Sequence, residues 1–219
     1  MKTFKVFSSL LAYPEAALLA HGEELAAALV DEALLPADEI AALKDFVTWL
    51  NRLGALDAQE RYVALFDRNR SLSLHIYEHV HGESRDRGQA MVQLAELYRL
   101  HGIEIEAREL PDYLPLFLEF LSLLPLKAAA SLLAEAVHVV AALQERLAQR
   151  GSPYATVMAA ILKLAASPAE RAAVEEVLAT LKPEADSLTA LDHQWEEEAV
   201  RFTAAGGPDQ VAAASGCGR

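Results

Sequence analysis

The amino-acid sequence predicts an all-α fold, a single-domain bundle of about eight to ten helices. Hydrophobic residues make up 53% of the chain, and much of that share is alanine and leucine, which favour helix over sheet. Glycine and proline are scarce, at 10 and 9 of 219 residues, which disfavours a turn-rich β-sandwich. Helical periodicity recurs along the chain, whereas no segment shows sustained period-two alternation with β-branched residues.

Three helices are predicted in the first third of the chain. The N-terminal segment carries two lysines but no long apolar stretch, which indicates the start of a helix rather than a signal peptide. An apolar stripe over residues 40–53 predicts a helix that Gly54 ends. Asp57 and Glu60 resemble a capping box and predict the start of a third helix there.

Apolar faces of helical spacing continue beyond residue 90. One covers residues 91–98 and ends at His101 and Gly102. A second covers residues 114–121 and ends near Pro125. A third, over residues 133–147, predicts a long helix that ends at Gly151.

Two serine–proline pairs predict the starts of the last helices. Ser152 precedes Pro153, and Ser167 precedes Pro168, so each pair places a capping side chain before a helix-compatible proline. Glu170 completes a capping box with Ser167. The last of these helices is expected to run to about residue 181.

The domain organisation follows from where periodicity stops. Residues 1–203 are predicted to form one all-helical domain. Residues 204–219 are rich in glycine and alanine and lack periodicity, so they are predicted to be a disordered tail. Cys217, the single cysteine, lies in this tail, which excludes an internal disulfide and fits a reducing compartment.

The charge of the chain restricts its partners. A formal net charge of −13 repels nucleic acids and anionic lipid, and it favours cationic partners such as a peptide with arginine or lysine. The alternative interpretation is that the charge only keeps the protein soluble. The most apolar stretch, residues 114–126, is interrupted by Glu119, Ser122 and Pro125 and is too short to span a bilayer. We therefore expect a soluble, cytoplasmic protein with no membrane insertion.

One polar cluster, residues 67–89, departs from the helical pattern. It contains three histidines, four arginines and four acidic residues. His75 and His79 are four residues apart, so His75, His79 and His81 could bind a metal ion, which would make the chain a metal-binding helical protein or a metalloenzyme. However, the cluster is not a His-Glu-x-x-His motif, and no cysteine pair completes a zinc site. An ion-pair network or a peptide contact is the alternative interpretation.

Catalytic motifs do not appear in the sequence. The serines near the histidines lack a Gly-x-Ser-x-Gly elbow, and phosphate-binding and dinucleotide-binding glycine patterns are absent. The sequence therefore predicts that the protein is not an enzyme. Aromatic and apolar residues between 62 and 77 could line a groove for an amphipathic partner helix, or could simply pack in the core.

Several long blocks of the sequence resemble a known family, the nitrate reductase molybdenum-cofactor assembly chaperones, also called the nitrate reductase delta subunit. The resemblance covers nearly the whole chain. The blocks that carry it are residues 10–14, 62–68, 71–75, 78–91 and 109–120.

The resemblance implies an all-helical fold related to the redox-enzyme maturation chaperones. In that wider group a Pro-Asp-His element contributes to peptide recognition, and the matching residues here are Pro111, Asp112 and Tyr113, with tyrosine in place of histidine. The implied partner is the apo catalytic (alpha) subunit of a membrane-bound respiratory nitrate reductase, held through its N-terminal segment. The chaperone would support molybdenum-cofactor insertion, delay membrane docking and leave the finished enzyme, with no cofactor of its own.

The resemblance and the charge together suggest how a client peptide binds. An amphipathic helix would dock its apolar side near Tyr62, and acidic side chains would meet its basic residues. The predicted client-binding residues are Tyr62, Leu65, Phe66, His75, Tyr77, Glu78, His79, His81, Glu83, Arg85, Asp86, Pro111, Asp112, Tyr113 and Glu119.

Overall fold

A computed structural model describes residues 1–82, 84–105 and 109–181. These residues form eleven α-helices and no strand, which confirms the all-α class. The helices are α1 (Lys2–Leu11), α2 (Ala16–Ala20), α3 (Gly22–Glu32), α4 (Ala37–Leu53), α5 (Ala55–Tyr62), α6 (Ile76–His81), α7 (Arg85–Leu100), α8 (Leu114–Ser122), α9 (Leu126–Gln149), α10 (Tyr154–Leu162) and α11 (Arg171–Thr180). The excess over the predicted eight to ten comes from short helices such as α2 and α6, of five and six residues.

Two glycines end helices as the sequence predicted. Gly54 follows α4 with φ +75°, and Gly151 follows α9 with φ +63°. Both values lie in the left-handed region, which a residue with a Cβ adopts only with strain. The chain can therefore reverse direction at these two points without straining a side chain.

The predicted capping boxes are wrong. Helix α5 begins at Ala55, two residues before Asp57. Gly54 is both the C-cap of α4 and the N-cap of α5. Pro153 is the N-cap of α10, and Glu170 is the N-cap of α11, so neither Ser152 nor Ser167 takes that position. No side chain donates or accepts a cap hydrogen bond at any of these three helix starts.

Helix α9 is the centre of the packing. It contacts α6, α8, α10 and α11, while α1 packs against α3 and α8, and α4 packs against α3 and α10. Its buried face includes Leu133, Val140 and Leu147, and α8 contributes the fully buried Leu118 and Leu121. Helix α9 therefore connects the packing of four other helices.

Helix α9 is also the one described helix that is long and apolar enough to cross a membrane by length and composition. The apolar stretch weighed in the sequence, residues 114–126, ends where α9 begins. Core helices of soluble proteins pass the same test, and α9 packs against four other helices.

One compact unit of the chain extends from Met1 to Glu184. The predicted domain end at residue 203, the predicted tail 204–219 and Cys217 lie outside the described residues.

The segment between α5 and α6 is irregular. Helix α5 continues into a π-helix, Val63–Asp67, and a 3₁₀ turn, Arg70–Leu72, follows. The buried Asn69 caps this turn, since its Oδ1 accepts hydrogen bonds from the Ser71 N–H (3.1 Å) and Oγ–H (2.6 Å). π-Helical turns are frequent at functional sites, and this one leads into the polar cluster.

Candidate functional site

Two blocks of the family resemblance, residues 71–75 and 109–120, meet in space. The Leu114 N–H donates to the Leu74 carbonyl at 2.8 Å, and the Ile76 N–H donates to the Asp112 carbonyl at 3.0 Å. These bonds form a single antiparallel bridge between His75 and Tyr113. The polar cluster and the turn before α8 therefore build one site.

The buried side chain of Asp112 holds this site together. It has no exposed surface. One carboxylate oxygen lies 3.1 Å from His75 Nδ1, and the other accepts the Tyr77 backbone N–H at 3.1 Å and lies 3.8 Å from Arg87 Nη2. A buried carboxylate with three partners on two other segments acts as a structural brace.

The neighbouring Pro111 fastens the same turn to α7. Its carbonyl accepts a hydrogen bond from the Tyr98 hydroxyl at 2.8 Å. Burial raises the pKa of the Tyr98 hydroxyl well above its ordinary value, so it remains a protonated donor. Pro111 and Asp112 therefore both position the turn.

Three tyrosines line one side of the site. The Tyr62 hydroxyl donates to the Leu11 carbonyl at 3.0 Å and lies 2.9 Å from the Tyr113 hydroxyl, which therefore donates to it. The Tyr13 ring packs edge-on against the Tyr62 ring, with centroids 5.6 Å apart. Burial raises the pKa of both Tyr62 and Tyr113, so both remain neutral donors.

These side chains enclose a small cleft, here called the aromatic cleft. Its volume is about 230 Å³. It is lined by Tyr13, Tyr62, Phe66, Asp67, Leu74, His75, Glu109 and Tyr113. Aromatic rings form much of the lining, and the carboxylates of Asp67 and Glu109 supply its negative charge.

The sequence predicted half of this lining. Tyr62, Phe66, His75 and Tyr113 were predicted and lie together in the cleft. The other half was missed and consists of Tyr13, Asp67, Leu74 and Glu109. All four belong to the blocks that carry the family resemblance, so membership of those blocks was the available signal.

Two other predicted residues near the cleft support the fold. Leu65 is partly buried and packs against the core. Tyr77 is half-buried, with its ring centroid 5.8 Å from that of His81.

The predicted acidic residues do not form one rim. Glu78 accepts a hydrogen bond from Arg70 Nε at 3.0 Å. Burial alone would raise the pKa of Glu78, but hydrogen bonds from Ser73 and Arg70 outweigh it and lower the pKa. Asp86 and the neighbouring Arg85 are exposed in the first turn of α7.

The two remaining acidic residues lie elsewhere. Glu119 is on α8, where it pairs with Lys5, and Glu83 is outside the described residues. Within the described chain, the carboxylates that line the aromatic cleft are therefore those of Asp67 and Glu109.

The three clustered histidines have separate partners. His75 Nδ1 faces Asp112, His79 Nε2 lies 2.7 Å from the Ser73 carbonyl, and the His81 ring packs against Tyr77. Across residues 1–82, 84–105 and 109–181, no group of three or more His, Cys, Asp or Glu side chains is arranged to hold a metal ion. The histidines thus contribute to hydrogen bonding and packing in this structure.

Comparison with known proteins places the chain in a family. Residues 32–160 match the profile of the nitrate reductase delta subunit. The chain belongs to the nitrate reductase delta subunit family. Most of the aromatic cleft lies within the matched residues, and Tyr13 precedes them.

Relatives in this family include proteins from two bacteria. The chain is 45% identical over 199 residues to the nitrate reductase molybdenum cofactor assembly chaperone NarJ of Escherichia coli K12, covering 91% of this chain and 84% of the relative. It is 41% identical to the probable assembly chaperone NarW of the same strain, covering 92% and 84%. It is 30% identical to the probable chaperone NarJ of Bacillus subtilis 168, covering 79% and 93%.

A buried arginine on α9, Arg146, supports the same site. Arg146 is 3% exposed, and its guanidinium donates to the Ser71 carbonyl at 2.7 Å and to the Leu178 carbonyl at 3.1 Å. It also donates to the Leu181 carbonyl and lies 3.4 Å from His79 Nδ1. Because His79 donates from Nε2 to Ser73, its Nδ1 is free to accept from Arg146. Arg146 thus ties the 3₁₀ turn, α6 and the end of α11 to α9.

Protonation of His79 is expected to destabilise the protein. Burial lowers the pKa of His79, with Arg146 acting in the same direction, although the bond to Ser73 opposes both. The unfolded chain, with a histidine pKa of about 6.5, therefore takes up the proton at higher pH than the folded chain. The folded state loses stability as the pH falls below about 6.5, by at most about 1.4 kcal/mol per pH unit for one group.

Urea unfolding at a series of pH values from neutral to mildly acidic checks this expectation. A His79→Gln variant should show a flatter dependence of the free energy of unfolding on pH than the parent. His21→Gln, at an exposed histidine, is the matched control and should retain the parent slope. Equal slopes for the parent and His79→Gln would contradict the assignment.

Proposed function

We propose that this chain is a non-catalytic, cytoplasmic assembly chaperone for a respiratory nitrate reductase. It binds the N-terminal segment of the apo catalytic subunit and supports insertion of the molybdenum cofactor. It delays docking of that subunit at the membrane and is not part of the mature enzyme. The family and the names of the relatives support the general role, and the aromatic cleft is the observation that supports peptide binding.

The size and lining of the aromatic cleft suit an anchor side chain of a peptide. At about 230 Å³ it is smaller than the roughly 300–1,000 Å³ typical of small-molecule pockets. Tyrosine rings offer large apolar contact area with little loss of rotamer freedom, and Tyr13, at the edge of the cleft, is 44% exposed. We therefore place an apolar side chain of an amphipathic client helix in the cleft.

Charge provides the complementary part of the recognition. Asp67 and Glu109 line the cleft, and the chain as a whole carries a formal net charge of −13. Such a field attracts a basic segment and raises its association rate. Basic residues beside the apolar anchor of the client would then lie next to these two carboxylates.

Calorimetric titration with a synthetic peptide tests the proposal. The peptide is the N-terminal segment of the nitrate reductase catalytic subunit from the same organism. We expect saturable one-to-one binding that weakens as salt is added, because the cleft carboxylates meet cations. Tyr13→Ala should weaken binding about tenfold, since it removes an aromatic contact from the edge of the cleft.

Leu56→Ala is the matched control for this titration. Leu56 is 81% exposed and is not part of the cleft lining, so its removal should leave the affinity unchanged. Equal loss in both variants, or no binding by the parent protein, would overturn the proposal. A chaperone that co-purifies with the mature membrane enzyme would contradict its absence from that enzyme.

A further inference from the structure

A second groove runs along α8 and adjoins the aromatic cleft. Its volume is about 450 Å³, and Glu109 lines both the groove and the cleft. Its apolar part includes Leu116 and Phe120 on α8 and Leu123 directly after it, and Leu123 is 66% exposed. This surface is called the α8 groove below.

Among the residues that the structure describes, the charged side chains that line the α8 groove are all acidic. Glu104, Glu109 and Glu119 line it, and the lining contains no lysine or arginine among the residues that the structure describes. An apolar floor with three carboxylates complements an amphipathic segment that carries basic side chains.

One of these carboxylates is already paired with a cation of the same chain. Lys5 Nζ on α1 forms an ion pair with Glu119, and both side chains are about half exposed, at 52% and 47%. Lys5 lines a further groove of about 530 Å³ between α1, α3 and the end of α8. Leu123 lines both grooves, so the Lys5–Glu119 pair lies at their boundary.

We infer that the client segment continues from the aromatic cleft into the α8 groove, where one of its lysine or arginine side chains replaces Lys5 on Glu119. This inference rests on the proposed function. Exposed ion pairs contribute little to stability, so exchange of one cation for another has a small energetic cost. Lys5 is then an internal competitor that occupies a client subsite in the free protein.

Opposite effects of the two members of the pair test this inference. In titrations with the same N-terminal peptide, Glu119→Gln should weaken binding roughly three- to fivefold, because the basic side chain of the client loses the Glu119 carboxylate as its partner. Lys5→Met should tighten binding by a similar factor, because Glu119 no longer has a competing cation. Lys2→Met is the control: it removes the same charge from the same neighbouring groove, but Lys2 does not pair with Glu119.

The possible outcomes are distinct. Tighter binding by Lys5→Met than by Lys2→Met, together with weaker binding by Glu119→Gln, supports the inference. If Lys5→Met weakens binding, or only matches Lys2→Met, the pair is purely structural and the inference is wrong. If Glu119→Gln binds as tightly as the parent, the inference is also wrong, while the proposed function stands. Absence of binding by the parent protein overturns the proposed function and this inference with it.

Discussion

Replacing Asp112 with alanine is expected to lower the free energy of unfolding by about 3–5 kcal/mol, the range for removing one partner of a buried charge network. The carboxylate has no exposed surface and serves His75, the Tyr77 backbone N–H and Arg87. Its loss removes this acceptor from three partly buried groups, and each group left unsatisfied carries a desolvation cost. Urea unfolding of the purified variant measures the effect.

Two further variants separate charge from hydrogen bonding at this position. Asp112→Asn retains an oxygen that accepts the Tyr77 N–H, so it should lose less stability than Asp112→Ala. Asp86→Ala, at an exposed aspartate on α7, should change stability little. If Asp112→Ala were no less stable than Asp86→Ala, the role of Asp112 as a brace would be wrong. Because the brace positions His75 and Tyr113, a folded Asp112→Asn variant should also bind client peptide more weakly.

Replacing Arg146 with methionine is expected to lower the free energy of unfolding by about 2–4 kcal/mol, through backbone carbonyls left without a donor. Methionine fills a similar apolar volume but donates no hydrogen bond to Ser71, Leu178 or Leu181. Burial lowers the pKa of the Arg146 guanidinium, because a buried environment disfavours its charge.

Hydrogen exchange shows where this stability is lost. Amides of α11 and of the 3₁₀ turn should exchange faster in Arg146→Met, since both segments lose their link to α9. Arg146→Lys keeps the charge but lacks the planar fork that reaches several carbonyls, so an intermediate loss is expected. Arg99→Met, at an exposed arginine on α7, is the matched control and should behave as the parent. Unchanged protection of α11 in Arg146→Met would contradict the role given to this arginine.

The helical framework was predictable because its determinants are local. Apolar residues three or four positions apart identify α4, α7, α8 and α9, and Gly54 and Gly151 end two of these helices. Capping was predicted less well, because the backbone turn that a side chain caps competes with other local turns of the backbone. At Ser152 the carbonyl accepts the Ala155 N–H at 3.0 Å, while Pro153 takes the N-cap position.

The candidate site was predictable only in its general location. The sequence singled out the polar cluster at residues 67–89, and that segment forms part of the site. It did not distinguish carboxylates by burial: Asp112 is fully buried, whereas Glu119 is about half exposed. Nor did it single out Glu104, which lies outside a helix and lines the α8 groove.

The sequence by itself determined the helical class, the family and the acidic character of the surface, because composition and spacing within a few residues carry that information. The tertiary structure decided which side chains share a cleft. The contacts that build it join residues far apart in the chain: His75 to Asp112 across 37 positions, and Tyr62 to Tyr113 across 51. Such contacts depend on how α5, α6 and α8 pack against the rest of the bundle, and packing sums many weak interactions that no local pattern encodes.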